Sequence, residues 1–518
     1  MTIIDLSALE RWLWASADIL RGNIDSSDYK NYIFGLLFLK RANDVFEEEV
    51  ERAMKEDKTL SREDAEFEPY IKIPKEARWN YLKGKTENIG EALDIAFAAI
   101  ESQNTQLEGV MTATKFGDKE KLSDNVLQRL LSHFNQYSLR NADLYHPDIL
   151  ADAYEFLIKM FADDAGKKGG EFYSPKGVVN LLVKLVKPAP RNTILDPCIG
   201  SGGMDLECAR YVAKLPDGKI GNNINVSLYG QEKNLGTWAI CKINMILHNF
   251  MDADIRKGDT LVNPQHKEGD NLMLFDRVIS NPPFSQDKWW EPLEINIKKK
   301  LDKDGREVEI APNYASGVVD PHGRFKFGIP PRGYADMAFV QHMIAVLKQD
   351  GRMGTVLPHG VLFRGGAEGK IRQKLIEHDL IEGIIGLPAS LFYNTGIPAC
   401  LLIVNKKKPK HLQNKIIIID ASKEYKEGKN QNTIEDEHID RIVKAYDAEQ
   451  DIERFMRVVD LAELAENDYN LNITRYIDNH EVVDDIDLKV VLGNISTLKA
   501  KETDIDQKLA QYLKELGL

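Results

Sequence analysis

The first third of the chain alternates apolar and polar positions with the period of an amphipathic helix. In "LERWLWASADIL" and "YKNYIFGLLFLKRANDVFEEEVERAM" apolar residues recur every three or four positions, and charges occupy the opposite face. Few stretches before residue 165 have the two-residue period of a strand. The pattern predicts an N-terminal helical domain over residues 1–165, which would pack on the next domain or on a partner.

A different pattern begins near residue 166 and continues to about residue 410. Short apolar runs such as "NTILD", "VSLYGQE", "FDRVISN" and "ACLLIVNKK" alternate with helical stretches such as "GTWAICKINMILHNF". Strands that alternate with helices are typical of an α/β fold. We therefore predict a doubly wound α/β sheet over residues 166–410, in which ligands bind at the carboxyl ends of the strands.

Two segments depart from this alternation. Residues 285–333 are rich in charge, glycine and proline, and a connection of this length is usually functional or mobile. From about residue 411 onward the chain is charged and has few strand patterns. We therefore predict a C-terminal helical region over residues 411–518.

The composition narrows the class of protein. The 518 residues are 43% hydrophobic and 29% charged, as in a globular protein with several domains. The run "YIFGLLFLK" is too short to span a bilayer, and the N-terminus lacks a signal-peptide pattern, so we expect a cytoplasmic protein. Four cysteines without a C-x-x-C pair argue against a zinc site and a disulfide framework. The net charge of −13 argues against a wide nucleic-acid-binding surface on this chain alone.

The first candidate site is "TILDPCIGSGGMDLECARYV" (193–212), which predicts a strand, a glycine-rich turn and a helix. Asp196 ends the strand, and Gly200, Gly202 and Gly203 would let the backbone pass close to a ligand. The spacing differs from the G-x-G-x-x-G of a dinucleotide site, and a carboxylate at the strand end would repel a pyrophosphate. It suits a cationic ligand that carries an amino group, such as S-adenosylmethionine. An ordinary strand-to-helix turn is the alternative.

Acidic residues follow at the ends of the next two predicted strands. Glu232 could accept hydrogen bonds from both ribose hydroxyls of a nucleoside, and Asp259 could accept one from the adenine amino group. Either acid alone would be an ordinary surface residue, but their order after the glycine-rich turn favours a cofactor site. Just upstream, "GGEFYSPKGVV" predicts a loop that opens a helix at Pro175. This loop is either a simple helix start or a lid over the methionine end of the cofactor.

The stretch "DRVISNPPF" predicts a buried strand that ends on Asn281, Pro282, Pro283 and Phe284. An exocyclic amine on a nucleobase is a poor nucleophile because its lone pair is delocalised into the ring. The Asn281 side-chain oxygen and the Pro282 carbonyl could accept hydrogen bonds from the two N–H groups of this amine. These two hydrogen bonds would localise its lone pair on the nitrogen. Phe284 would stack on a base that has left the duplex, and the amine could attack the cofactor methyl without a strong base. The alternative is a proline-kinked loop with a core phenylalanine.

With these motifs the sequence resembles the modification (methyltransferase) subunits, HsdM, of type I restriction–modification systems, which are N6-adenine DNA methyltransferases. The resemblance covers nearly the whole chain. The segments that carry it, in the family order, are "ADILRGNIDSSDYKNYIFGLLFLKRANDVF", "GGEFYSPKGVV", "DPCIGSGGM", "GQEKN", "NPPF", "RFKFGIPPRGYADMAFVQHMIAVLK", "GRMGTVLPHGVLFRGGAEGKIRQKLIE" and "LPASLFYNTGIPACLLIVNKKK". Ser174 occupies the family's threonine position and keeps the hydroxyl group.

The resemblance implies a role for each motif residue. The residues that it implies for S-adenosylmethionine binding are Glu171, Phe172, Tyr173, Ser174, Pro175, Lys176, Asp196, Gly200, Ser201, Gly202, Gly203, Glu232 and Asp259. Asn281, Pro282, Pro283 and Phe284 would form the catalytic turn that holds the target adenine. Phe392 could pack on the base from another side.

The resemblance also implies partners. Nothing after residue 410 resembles a target-recognition domain, so a separate specificity subunit would choose the site on double-stranded DNA, and the C-terminal helices would dock on it. The family pattern is two modification subunits on one specificity subunit, joined by restriction subunits for cleavage. Three alternatives stay open: an rRNA guanine-N2 or protein glutamine methyltransferase with the same fold, a scaffold whose site has decayed, and a phage-defence methyltransferase.

Overall fold

The computed structural model describes most of the chain in two compact units, Met1–Ile477 and Asp478–Leu518. The described residues are 5–25, 28–145, 149–164, 174–221, 223–289, 298–301, 303, 305–310, 320–392, 398–429, 431–478 and 488–517. The candidate site lies in the first unit, because every described motif residue falls before residue 478.

The N-terminal part of the first unit is helical, as predicted. Its helices are α1 (Leu6–Leu20), α2 (Tyr29–Glu56), α3 (Arg62–Ala65), α4 (Trp79–Leu82), α5 (Ile89–Gln103), α6 (Asp124–Phe134) and α7 (Ile149–Asp164). Asp5 caps α1, since its carboxylate accepts a hydrogen bond from the Ala8 amide at 2.8 Å. The apolar stripe of α1 is buried at Leu9 and Leu13, as the helical period requires.

A large mixed sheet follows. The strands are β1 (Thr193–Asp196), β2 (Lys219–Ile220), β3 (Asn223–Ile224), β4 (Ser227–Glu232), β5 (Asp254–Lys257), β6 (Lys267–Glu268), β7 (Asn271–Leu272), β8 (Phe275–Ser280), β9 (Lys298–Leu301), β10 (Glu307–Ile310), β11 (Leu347–Pro358), β12 (Ile381–Gly386), β13 (Ala399–Asn405), β14 (Lys415–Asp420) and β15 (Met456–Asp460). Nine of the described strands form one sheet in the order β15-β14-β12-β13-β11-β8-β1-β4-β5. The strands β11, β8, β1, β4 and β5 run parallel, whereas β13 is antiparallel to both of its neighbours.

Helices cover both faces of this sheet. Those that follow the N-terminal bundle in the first unit are α8 (Lys176–Val186), α9 (Gly203–Ala213), α10 (Leu235–Leu247), α11 (Asp336–Ala345), α12 (Gly366–Glu377), α13 (Asp436–Ala448) and α14 (Leu461–Glu466). Alternate residues of each strand enter different cores: Ile194 packs with α8 and the N-terminal helices, and Leu195 packs with α11 and α12. This arrangement confirms the predicted doubly wound α/β fold.

The sheet does not end at residue 410, where the sequence analysis placed the boundary. Strand β14 pairs in parallel with β12, and β15 pairs antiparallel with β14. The run "KIIIID" forms β14 because its four isoleucines fill both cores, with Ile416 and Ile418 on one face and Ile417 and Ile419 on the other. Charged flanks had suggested a helical region, but burial on both faces decides the local structure.

The second unit contains the helix α15 (Leu488–Glu515). Several of its apolar side chains are exposed. Six of them follow one another at intervals of four, three, seven, four and three residues: Val491, Ile495, Leu498, Ile505, Leu509 and Tyr512. Within the described part of the chain, no helix combines the length and the hydrophobicity needed to cross a membrane.

Candidate active site

Parallel strands end at one edge of the sheet, and each brings a polar residue to that edge. Strand β1 ends at Asp196, β4 ends at Glu232, and β8 ends at Ser280, directly before Asn281. These strands lie side by side in the order β8-β1-β4-β5. Side chains that are far apart in sequence therefore meet at the carboxyl edge, where ligands of α/β sheets bind.

The glycine-rich turn, residues 197–202, connects β1 to α9 and packs tightly against α10. Gly202 has a left-handed φ of 85°, and a Cβ atom there would lie 2.5 Å from the Met245 Cε atom. Gly200 has a φ of 56°, and its amide donates a hydrogen bond to the Glu232 Oε2 atom at 3.2 Å. A side chain at position 202 would therefore disrupt both the turn and its packing on α10.

Asp196 is buried at the centre of this edge, with 2% of its surface exposed. Its Oδ1 atom accepts hydrogen bonds from the Ser280 hydroxyl at 2.6 Å and from the Cys198 amide at 2.9 Å. Burial outweighs these hydrogen bonds and raises the pKa of Asp196 to about 7. At neutral pH the carboxyl group is near its midpoint, so a nearby cation would favour the ionised form.

Glu232 and Asp259 are held mainly by backbone amides. Burial raises the pKa of Glu232, whose Oε1 atom accepts a hydrogen bond from the Asn234 amide at 2.7 Å. The Asp259 Oδ1 atom accepts a hydrogen bond from the Leu261 amide at 3.0 Å, and its Oδ2 atom lies 2.8 Å from the Lys233 Nζ atom. Both carboxylates are thus oriented by the loops that follow β4 and β5.

The side-chain amide of Asn281 has a fixed orientation. Its Nδ2 atom donates a hydrogen bond to the Ser174 hydroxyl at 2.9 Å, while its Oδ1 atom is buried and accepts no hydrogen bond from the residues that the structure describes. A buried carbonyl oxygen without a donor destabilises the protein, so such an atom is a candidate acceptor for a ligand. The hydroxyl at position 174, which the sequence analysis identified with the family's threonine, is the group that orients this acceptor.

The aromatic ring at the end of the NPPF motif, Phe284, packs against the ring of Phe392. The Phe284 and Phe392 ring centroids are 5.6 Å apart, and the ring planes are inclined by 66°. Phe284 is half-buried and Phe392 is buried. The structure therefore brings together the two rings that the sequence analysis assigned to the target base.

A cleft of about 780 Å³, open mouth included, lies at this edge. The predicted site residues that line it are Ser174, Lys176, Asp196, Gly200, Ser201, Gly203 and Asn281. Other predicted residues do not line it: Pro175, Gly202, Glu232, Asp259, Pro282, Pro283 and Phe284. Glu232 nevertheless borders the cleft through its hydrogen bond to Gly200. Glu171, Phe172 and Tyr173 lie outside the described residues, so their role stays a prediction.

One wall of the cleft was not predicted from the sequence. Its polar residues include Glu155 of α7, Asn180 of α8, Arg210 of α9 and Asn244 of α10. Arg210 donates to the Glu155 carboxylate at 3.0 Å, and Asn244 donates to the Ser201 carbonyl at 2.9 Å. Asn244 offered one signal, because it is a polar residue on the buried face of an apolar helix. The others come from separate helices that only the fold brings together.

Two family models match the chain. One, described as N-6 DNA Methylase, matches residues 145–485, and the other, described as HsdM N-terminal domain, matches residues 9–134. The chain is 34% identical to the type I restriction enzyme MjaVIII methylase subunit of Methanocaldococcus jannaschii, over 97% of this chain and 83% of that protein. It is 28% identical to the HindI methylase subunit of Haemophilus influenzae, over 86% of this chain and 100% of that protein.

The fold agrees with this relationship. The crystal structure of the type I restriction-modification system methyltransferase subunit from Streptococcus thermophilus is 32% identical and superposes with a TM-score of 0.74. The match covers 92% of this chain and 100% of that one. The chain therefore belongs to the methylase subunits of type I restriction enzymes and is an adenine-specific DNA methyltransferase.

Proposed function

We propose that this subunit transfers a methyl group from S-adenosylmethionine to the N6 amino group of an adenine flipped out of double-stranded DNA. The observation that carries the proposal is the Asn281 side chain. Its Oδ1 atom is buried and has no hydrogen-bond donor in the described part of the chain, and its Nδ2 atom donates to the Ser174 hydroxyl. An acceptor that is already oriented binds an incoming N–H group with little loss of conformational entropy.

The residues of the cleft fit the cofactor. Asp196 would accept a hydrogen bond from its amino group, Glu232 would bind the ribose hydroxyls, and Asp259 would bind the adenine amino group. A Cβ atom at Gly203, the first residue of α9, would come no closer than 4.0 Å to the Ser201 hydroxyl, so the start of this helix leaves room for a ligand in the cleft. When bound, the cofactor supplies an electrophilic methyl group.

The NPPF turn would hold and activate the adenine. The Asn281 Oδ1 atom and the Pro282 carbonyl would accept hydrogen bonds from the two N–H groups of the amine. These hydrogen bonds localise the lone pair on the nitrogen. Pro283 stiffens the turn, and Phe284 stacks on the base with the Phe392 ring beside it. No side chain has to remove a proton beforehand, because the proton is lost after the nitrogen has become cationic.

We assign the choice of DNA site to a separate specificity subunit. The net charge of −13 disfavours a strong grip on DNA by this chain alone. The exposed apolar positions of α15 have the spacing of a coiled-coil seam, so the C-terminal region has a helix face suited to dock on such a partner. The proposed complex has two modification subunits on one specificity subunit, and restriction subunits join it for cleavage.

The first test is calorimetry of S-adenosylmethionine binding to the purified chain. We expect the wild type to bind, and Glu232→Ala to bind at least about tenfold more weakly because the ribose hydroxyls lose a charged acceptor. Asn281→Ala should bind the cofactor like the wild type. Thermal unfolding of each variant controls for loss of structure.

The second test assembles the same proteins with the specificity subunit and supplies unmodified genomic DNA. We expect the wild type and not Asn281→Ala to form N6-methyladenine, as measured by mass spectrometry of digested DNA. A wild type that binds no cofactor even in the complex, or an Asn281→Ala variant that methylates at the wild-type rate, contradicts the proposal.

A further inference from the structure

Residues 320–336, here called the bridging segment, contact both halves of the site although no candidate site residue lies among them. Arg324 lies near its start and Asp336 at its end, and they are only 2% and 1% exposed. Charged side chains are buried to this extent only when they are paired. Their partners therefore show which parts of the site they hold in place.

Arg324 holds the loop that carries Asp259. Its Nη2 atom donates to the Leu261 carbonyl at 2.7 Å, and its Nη1 atom donates to the Thr260 carbonyl at 3.1 Å. The Leu261 amide in turn donates to the Asp259 carboxylate at 3.0 Å. The guanidinium fork thus fixes two consecutive peptide groups at the adenosine end of the proposed cofactor site.

Arg324 is itself fixed on its other sides. Its Nε atom donates to the Asp320 Oδ1 atom at 2.8 Å, and its Nη1 atom lies 3.2 Å from the His342 Nδ1 atom. Burial and the neighbouring guanidinium hold the pKa of His342 well below its usual value, so the ring is neutral and can accept this hydrogen bond. The Thr260 hydroxyl also donates to the Pro197 carbonyl, which connects the loop to the glycine-rich turn.

Asp336 holds the exit of the NPPF turn. Its Oδ1 atom accepts a hydrogen bond from the Ser285 amide at 2.8 Å, and its Oδ2 atom accepts one from Arg364 at 3.1 Å. Ser285 directly follows Phe284 and has a left-handed φ of 51°, a conformation that its surroundings must stabilise. Asp336 therefore fixes the backbone next to the ring that would stack on the target base.

Packed side chains connect these two ends. Phe325 and Trp289 pack edge to face with ring centroids 5.4 Å apart, and the Trp289 indole donates to the Pro331 carbonyl at 2.9 Å. Both rings belong to a small hydrophobic cluster that also contains Leu261 and Ala338. The bridging segment is thus anchored along its length as well as at its ends.

We propose that the bridging segment positions the cofactor half and the target-base half of the site relative to each other, with Arg324 and Asp336 as its positioning residues. The inference rests on the proposed function, which takes Asp259 and Phe284 as contacts of the cofactor and the base. It assigns different tasks to the two ends. Arg324 sets the affinity for the cofactor, and Asp336 sets the rate of transfer to bound DNA.

The experiment compares Arg324→Lys, Asp336→Asn and the control Arg352→Lys. Arg324→Lys keeps the charge beside Asp320 but loses the fork, so we expect the dissociation constant for S-adenosylmethionine to rise about tenfold or more. Asp336→Asn keeps the shape of the side chain. We expect it to bind the cofactor normally while single-turnover methylation in the assembled complex slows about tenfold or more. Arg352 pairs with the buried Glu382 outside the cleft, so Arg352→Lys should change neither quantity.

The outcomes separate this inference from the proposed function. If the wild type neither binds the cofactor nor methylates DNA, both the inference and the proposed function are refuted. With an active wild type, normal cofactor affinity in Arg324→Lys, or an equal loss of affinity in Arg352→Lys, overturns the inference and leaves the proposed function intact. If Arg324→Lys does not fold, Asp320→Asn takes its place, because it keeps the shape of the side chain and removes the negative charge that pairs with the Arg324 guanidinium.

Discussion

The two sides of the carboxyl edge hold their polar groups in different ways. On the side of β8 and β1, Asp196 is buried and hydrogen-bonded to Ser280, and Asn281 is oriented by Ser174. On the side of β4 and β5, backbone amides orient the carboxylates, and Asp259 pairs with a lysine side chain that is 64% exposed. The first side is shielded from water, whereas on the second side the ion pair of Asp259 and Lys233 reaches solvent and Glu232 is half-buried.

This difference indicates what each side can do. Electrostatic interactions are stronger where water is excluded, so small changes on the side of β8 and β1 should alter rates and pH dependence. The ion pair of Asp259 and Lys233 reaches solvent and is screened, so changes to it should alter cofactor affinity slightly and leave the rate of methyl transfer unchanged. Variants on the two sides should therefore differ in the size and the kind of their effects.

The largest effect is expected for Phe284→Ala in the assembled complex. Loss of the stacked ring should slow single-turnover methylation by up to about a hundredfold, because stacking of one base on an aromatic side chain contributes about 1–3 kcal/mol. Cofactor affinity, measured by calorimetry, should stay unchanged. The control Phe284→Tyr retains the ring and should stay close to the wild type. A normal rate in Phe284→Ala would contradict the role of this ring.

The second prediction concerns pH. The pKa of Asp196 is about 7 in the protein without ligand, so the group is mostly protonated below pH 7, and a cationic cofactor must displace that proton. Cofactor affinity should therefore fall as pH decreases, by about fiftyfold between pH 7 and pH 5. The cofactor's amino group stays protonated in this range.

The control for this prediction is Asp196→Asn, which removes the titrating group. The pKa of Glu232 is also raised, so the difference between wild type and variant isolates the Asp196 contribution. Calorimetry at pH 5, 6 and 7 should give a weaker but flatter profile for the variant. Parallel profiles for the two proteins would show that Asp196 does not control the pH dependence.

A smaller effect is expected for Ser174→Ala. The variant loses the hydrogen bond that orients the Asn281 amide, a neutral interaction that contributes about 1 kcal/mol, so methylation should slow about fivefold. Ser174→Thr keeps the hydroxyl and should restore the wild-type rate. Single-turnover methylation at saturating cofactor measures this effect, and equal rates for the alanine and threonine variants would refute the orienting role.

The smallest effect is expected for the ion pair at the ends of β4 and β5. Lys233→Ala removes the partner of Asp259, but an exposed ion pair contributes little. Cofactor affinity should therefore change by no more than about twofold, and methylation of bound DNA should be unchanged. Calorimetry with the wild type as reference measures the affinity. A loss as large as that expected for Glu232→Ala would show that solvent does not screen the ion pair of Asp259 and Lys233.

Sequence patterns predicted the strand ends well because each candidate residue lies at the end of a short predicted strand or directly after it. Asp196, Glu232 and Asn281 occur at such positions, and the parallel sheet brings them to one edge. The same reasoning overlooked the isoleucines of β14, although "KIIIID" is an apolar run like "ACLLIVNKK" of β13, because the charged stretches around it favoured a helical region. The extent of the sheet therefore depended on packing that charged neighbours obscured.

Local periodicity and residues that are close in the chain were sufficient to predict the α/β class, the family and the order of the site motifs. The groups that hold the motifs in place could be identified only in the folded chain. Arg324 and Asp336 contact loops that lie more than 50 residues earlier in the chain, and nothing in their local sequence distinguishes them from surface charges. The burial of a side chain and its contacts with residues far away in sequence depend on the folded chain. Local sequence patterns do not contain this information.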